Sequence, residues 1–339
     1  MQIVAQGAQD KYLTQDPEIT FFKSMHRRHT NFAIESIEQT FNGTIGENSR
    51  VSATISRNGD LVNRMWLEIT PTEDQSDLDA YDMIDKISIE IGGTRIDRHT
   101  GEWMKLWKEL STPAGKMDVL KKITTGSAAA GDAAAKACMI PLSFWFCKEP
   151  GQALPLIALQ YHEVKVVVEF GAKVSTAKLW VDYIYLDTEE RRRFARSAHE
   201  YLIEQVQTTG VESISATGGK VRLNFNHPVK ELVWKAGNME SAKLQLNGHD
   251  RFAERDNKYF TKVQPYQHHS GSITEDHVKV YSFALEPEKL QPSGTCNFSR
   301  IDNATLKIKG TGMSDATVYA VNYNVLRIKN GMGGLAYSN

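Results

Sequence analysis

Along much of this chain apolar and polar residues alternate with a period of two. In Asp85–Ile91, Ile87, Ile89 and Ile91 alternate with Ser88 and Glu90. In Ala304–Lys309, Leu306 and Ile308 alternate with Thr305 and Lys307, and in Lys220–Asn226, Val221, Leu223 and Phe225 alternate with Arg222 and Asn224. Tyr319, Val321, Tyr323 and Val325 share one face, and Val51–Ile55, Met65–Ile69 and Val164–Phe170 follow the same rule. Successive side chains of a strand point to opposite faces, so these segments predict half-buried strands with one wet face. That is the pattern of antiparallel sandwiches, not of the continuously apolar strands of parallel α/β sheets.

Two segments break the period. In Thr100–Leu110, Trp103, Leu106, Trp107 and Leu110 fall at helical spacing on one face, with Thr100 as N-cap. This reads as a short helix against the end of a sandwich, or alternatively as an aromatic ligand box. Ser111–Lys136, rich in Ala, Gly and Ser, reads as a surface loop with a short helical piece at Ala133–Ala137.

The chain also repeats itself. The first half carries MWLEITP, then KISIEIGGTRIDRHTGEWM, then PLSFWFCKEPGQALPL, and closes on KLWVDYIYL. The second carries ELVWKAG, then SAKLQLNGHDRF, then VYSFALEPEKLQPSG, and closes on ATVYAVNYNVLRI. A Trp-bearing strand (Trp66, Trp234), a Gly turn (Gly93, Gly248), a Glu-Pro loop (Pro150, Pro287) and a Tyr-rich last strand recur in order. The drifting offsets come from the acidic loop Thr72–Tyr81 and the Ala/Gly stretch, since loops absorb insertions that strands do not. With 339 residues there is room for two domains. The expected division is an N-terminal arm at 1–16, polar and extended, a first β-domain at 17–196 and a second at 197–339. The boundary lies near Arg196, after the charged run Glu189–Arg193. Each half then holds about eight short strands, enough for a jelly roll.

The formal net charge of −1 gives no global attraction to nucleic acid or anionic membrane, so direct nucleic-acid recognition is not expected. The N-terminal MQIVAQGAQDKYL does not read as a signal peptide, and no apolar run reaches a membrane span. Three scattered cysteines, Cys138, Cys147 and Cys296, predict unbridged thiols in a reducing compartment. The sequons at Asn42, Asn297 and Asn303 are then expected to go unused.

At PLSFWFCKEPGQALPLIALQYHEVKV the sequence closely resembles the signature region of major capsid proteins of nucleocytoplasmic large DNA viruses. DRHTGEWMKLW, FNHPVKELVW, YSFALEPEKLQPSGTCNFSRIDN and VYAVNYNVLRIKNGMGGLAYSN resemble further blocks of that family. The resemblance runs from Asp16 to the last residue. It implies an all-β chain of two tandem eight-stranded jelly rolls and a homotrimeric capsomer of pseudo-hexagonal outline that tiles an icosahedral shell. Neighbouring capsomers, minor capsid or penton proteins and an internal membrane beneath the shell would be its surroundings, with assembly in the host cytoplasm. The chain is compact for the family, which argues against elaborate outer towers.

Candidate subunit-interface residues are Leu154, Pro155, Leu156 and Ile157, whose other reading is packing within the domain, and Arg191, Arg192 and Arg193. The arginines could meet a neighbouring subunit or phosphate, or form a solvated run balanced by Glu189 and Glu190. His162 reads as a structural histidine at a strand start. His268, His269 and His277 read as surface or pH-sensitive histidines, with a zinc site as the alternative. No GxSxG, P-loop, HExxH or dinucleotide fingerprint is present, so no catalytic, metal or cofactor residues are expected. The rival from another class is a β-sandwich carbohydrate-binding or carbohydrate-active protein.

Overall fold

The computed structural model describes residues 7–72, 79–125, 137–271 and 276–338. The chain divides into two units, Met1–Asn31 and Phe32–Asn339. In the first, Ala8–Thr14 is a helix whose start is capped by Asp10, which accepts from the Gly7 N–H at 2.9 Å. The extended arm expected over 1–16 is therefore corrected at 8–14, where a local cap and helix-compatible residues outweigh the missing period. Residues 1–6 lie outside the described residues.

The second unit is built from sixteen principal strands in four antiparallel sheets. The first eight are β1 (Phe32–Gln39), β2 (Arg50–Thr54), β3 (Leu61–Pro71), β4 (Ile84–Ile91), β5 (Thr94–Thr100), β6 (Cys138–Pro141), β7 (Val164–Phe170) and β8 (Val174–Leu186). They form one sheet in the order β1-β8-β3-β6 and another in the order β2-β7-β4-β5, whose β2 edge also carries the two-residue strand Phe41–Asn42. The next eight are β9 (His199–Ser213), β10 (Gly218–Arg222), β11 (Pro228–Ala236), β12 (Met239–Leu246), β13 (His249–Asp250), β14 (Val278–Ser282), β15 (Ala304–Gly310) and β16 (Asp315–Lys329). Their orders, β9-β16-β11-β14 and β10-β15-β12-β13, repeat the first pair strand for strand. In each set the first strand pairs with the last, the second with the next to last, and so inward. This is the connectivity of a jelly roll. No sheet mixes strands of the two sets; the isolated bridge Pro113–Gly271 crosses between them.

The Gly landmarks fall on equivalent hairpins. Gly92-Gly93 joins β4 to β5, and Asn247-Gly248 joins β12 to β13. All four residues have positive φ, from 50° to 82°, as two-residue primed turns require. The tryptophan landmarks do not coincide. Trp66 and Trp234 lie on the equivalent strands β3 and β11, but Trp66 is half-buried on the face away from Met65, Leu67 and Ile69. Trp234 points into the core of the second set. A correspondence invisible in the sequence replaces it. Leu154–Pro155 pairs with β3 and Cys296–Asn297 with β11, and each leads directly into a 3-10 turn.

Helix α1 (Gly101–Ser111) confirms the period of Trp103, Leu106, Trp107 and Leu110, all buried, and the Thr100 hydroxyl accepts from the Trp103 N–H at 3.1 Å. Gly101 is obligatory there, because a Cβ would lie 2.2 Å from the Tyr81 and Ile84 carbonyl oxygens. Thr100→Ala is expected to cost about 1 kcal/mol in urea unfolding, the usual value of an N-cap. The loop reading of Ser111–Lys136 is corrected at α2 (Ala114–Thr124), which only Thr124 anchors as a buried residue. Ala133–Lys136, most of the short helical piece expected there, lie outside the described residues. The run Glu189–Arg193 belongs to α3 (Thr188–Arg196), whose Asp187 cap and acidic first turn favour a helix start.

The wet faces expected of the alternating strands hold for β15 and β4, but not for β16. There Val318 and Ala320 enter the core of the second set, while Tyr319 and Val321 enter the large core cluster of the first. The sheet β9-β16-β11-β14 is therefore covered on both sides. The alternation of Lys220–Asn226 also outlasts its strand, which ends at Arg222, although Leu223 and Phe225 stay buried.

Candidate interaction surfaces

The seam between the two strand sets brings together most of the buried charge of the described residues. Glu204 on β9 is paired with Lys230 on β11 and with Lys148, which arrives from the short helix Trp145–Lys148 of the first set. Lys230 is fully buried and its ammonium sits 5.2 Å above the Tyr323 ring; Lys148 lies 4.5 Å above Trp107. Burial alone would raise the Glu204 carboxyl, but the two lysines pull it below the usual range. Burial pushes Lys230 down, against the attraction of Glu204. Both shifts have one origin: two cations share one carboxylate where water is scarce.

A second cluster forms around His269. Its side chain is completely buried, with Nε2 2.9 Å from Glu231 and Nδ1 3.1 Å from Glu288. Burial lowers its pKa, but the two carboxylates win and hold it up at about 9. The ring stands edge-on to Trp107 of α1, and the adjacent Gly271 N–H donates to the Leu110 carbonyl at 2.8 Å. The expectation of a surface histidine is thus corrected for His269. Its acids lie 38 and 19 residues away in sequence, so no local pattern reveals them. His268 instead meets the Leu285 carbonyl, and His277 pairs with Glu109 of α1 at 3.1 Å. Among the described residues no group of histidine, cysteine and acidic side chains has the arrangement of a metal site.

A third contact joins β5 to β9: Asp97 accepts from the Val206 N–H at 3.1 Å and from its own neighbour Arg98 at 2.9 Å, and it pairs with His99 at 2.9 Å. His162 also ties the halves: its Nδ1 lies 3.0 Å from the Gly333 carbonyl oxygen and 3.1 Å from the Gly333 N–H, so it bonds to one or the other. The three cysteines form no disulfide, and burial pushes the Cys138 thiol up to about 11 and that of Cys147 to about 12. These thiols are poor nucleophiles.

The interface candidates come together in space. The 3-10 turn Leu156–Ala158 packs on α3, and the Phe194 ring of α3 reaches the small cluster of Leu61, Ala153 and Ile184. Leu154, Pro155 and Leu156 are buried within this chain, and Ile157 is half-buried. Arg191 bridges to the buried Asp60 at 2.8 Å, Arg192 to Glu189 at 3.1 Å, and Arg193 is exposed. Sequence reasoning missed the edge beside them: Phe32 and Ile34 of β1, opposite Leu186 and Ile184 of β8, are both more than half exposed.

Comparison with known proteins matches this architecture along the whole chain. Residues 20–175 match the family described as "Major capsid protein N-terminus", and residues 190–241 and 235–334 match "Large eukaryotic DNA virus major capsid protein". The major capsid protein of Pyramimonas orientalis virus is 50% identical, with 100% of this chain and 99% of that protein covered. That of Paramecium bursaria Chlorella virus 1 is 42% identical at the same coverage. The solved structure titled "PBCV-1 virus capsid, quasi-atomic model" superposes with a TM-score of 0.86 at 38% identity over 94% of this chain and 100% of that one. The Faustovirus major capsid protein shares the fold at a TM-score of 0.78 and 11% identity, over 96% of this chain and 94% of that one. Matched over both strand sets and both sandwiches, the chain belongs to the major capsid protein family of large eukaryotic DNA viruses.

Proposed function

We propose that three copies of this chain form a capsomer of pseudo-hexagonal outline that tiles an icosahedral shell. The observation that carries this is the strand-for-strand duplication: two equivalent sandwiches per chain make six wedges per trimer. We divide the sandwiches near Arg196, at the end of α3. The seam residues bind one sandwich to the other, so the body acts as a rigid block and works by geometry rather than catalysis. Among the sequence candidates, Ile157, Arg191, Arg192 and Arg193 have surface left to offer a neighbouring subunit, and Phe32 and Ile34 beside them add to it. Leu154, Pro155 and Leu156 support that surface from beneath. Obligate assemblies of this kind bury thousands of Å². The unbridged thiols fit assembly in the reducing host cytoplasm.

Light scattering coupled to size exclusion is expected to give a particle near three times 38.1 kDa. A monomer, and above all a monomer with glycan affinity, overturns the reading in favour of a carbohydrate-binding sandwich. Deleting residues 1–16 is expected to impair shell formation while trimers persist; loss of the trimer would reassign the arm.

A further inference from the structure

The seam between the two strand sets encloses a small polar cavity. His99, Trp107, Ser143 and Lys148 of the first set and Glu204 and Val321 of the second stand in its wall. It offers about 10 Å³ to the centre of a water-sized molecule, close to the least that holds one water. The His99 side chain is only 2% exposed and is fixed on two sides. Its ring stacks on Phe144 with centroids 4.7 Å apart, and its Nε2 lies 2.9 Å from the Asp97 carboxylate. The other ring nitrogen, Nδ1, is buried and has no hydrogen-bond partner among the described residues. Buried polar atoms are rarely left so, because the loss of water is then uncompensated.

We propose that one resident water molecule occupies this cavity and closes a polar bridge across the seam, bonded to His99 Nδ1, the Lys148 ammonium and the Glu204 carboxylate. Donors and acceptors balance. Lys148 has three N–H groups and gives one to Glu204, so another can donate to the water oxygen. Glu204 takes one lysine on each carboxylate oxygen and keeps lone pairs for a water O–H. The second O–H of the water reaches Nδ1, which carries a lone pair when Nε2 holds the proton that Asp97 accepts. With both nitrogens protonated, Nδ1–H would donate to the water instead, and the bridge would persist. A cation of the same size would lie against the Lys148 ammonium, and an anion against Glu204. Only a neutral molecule that both donates and accepts serves all three groups. Three hydrogen bonds are also the usual number for a buried water, and such waters are costly to remove. Because the wall draws on both strand sets, the site exists only when the seam is closed.

The test is a high-resolution crystal structure of the full chain. A single spherical density peak is expected about 3 Å from His99 Nδ1 and within hydrogen-bond reach of Lys148 and Glu204. No peak at that position, or a peak out of reach of Nδ1, would overturn the proposal. A crystal grown with bromide in place of chloride should give no anomalous signal there. A bromide signal would show an anion site instead and would equally overturn it. The variant H99F adds a comparison, since phenylalanine keeps the stack on Phe144 and leaves Asp97 its two backbone donors. With no nitrogen to bond it, the water is expected to fall below roughly half occupancy in H99F. Full occupancy there would mean that His99 does not hold the water. Should H99F fail to fold, the wild-type crystals alone still decide the matter.

Discussion

Replacing Glu204 by leucine is expected to destabilise the protein by about 3–5 kcal/mol in urea unfolding, the range for breaking a buried ion pair. The reason is asymmetry. Glu204 is the one carboxylate shared by Lys148 and Lys230, and Lys230 has no exposed surface through which to regain water. Removing the acid leaves a buried cation. The double variant E204L/K230M is expected to recover most of the loss, because an apolar pair of similar volume needs no partner and Lys148 keeps a quarter of its side chain in water. If the double variant is no better than the single, the loss comes from packing and the electrostatic account fails. The acid limb of stability should show the same residue. Burial raises the Glu204 pKa, but Lys148 and Lys230 lower it further, so its folded pKa lies below its unfolded value. Its contribution is present above the ordinary glutamate range and is lost as pH falls through the folded pKa.

The second large effect concerns the alkaline side. His269 has its folded pKa held at about 9 by Glu231 and Glu288, against burial. A group raised in this way stabilises fully below its unfolded pKa, near 6.5, and loses that contribution as pH climbs to about 9. The expected loss across the window is about 3 kcal/mol. His269→Ala should cost a similar amount at pH 6 and should flatten the wild-type slope. The comparison with the variant matters because Lys279, pushed down to about 8 by burial, tilts stability the other way over the upper part of the range. A wild-type profile that parallels the variant from pH 6.5 to 9 would mean that His269 is neutral in the fold.

The strand count, the duplication and α1 were legible because each rests on local periodicity that burial then rewards. Ile87, Ile89 and Ile91 face one core, and Thr100 caps the helix its sequence announces. What escaped was set by distant partners. Nothing local marks the adjacent charges Lys230 and Glu231 as buried, yet both are fully buried, with Glu204 and His269 as distant partners. Asn322 and Asn324, on the alternating strand β16, are buried against Gln207 and Gln205, partners 115 and 119 residues away in sequence. Trp66 and Trp234 look equivalent because composition marks the strand, whereas a shift of one residue turns a side chain to the opposite face. Leu154 and Leu156 kept two readings, subunit interface or packing within the domain, because no period distinguishes an apolar stretch buried in its own chain from one covered by a neighbour.

The sheet β9-β16-β11-β14, enclosed on both sides, also bears on the order of events at the ribosome. The first sandwich is synthesised first and can close on its own strands. The second emerges with one flank of its sheet still uncovered, and that flank carries Glu204, Lys230 and Glu231 among its apolar residues. Until it docks, those side chains are hydrated, and a hydrated flank is a poor template for aggregation. The same groups that make the finished seam sensitive to single substitutions would thus keep the half-built chain soluble during translation.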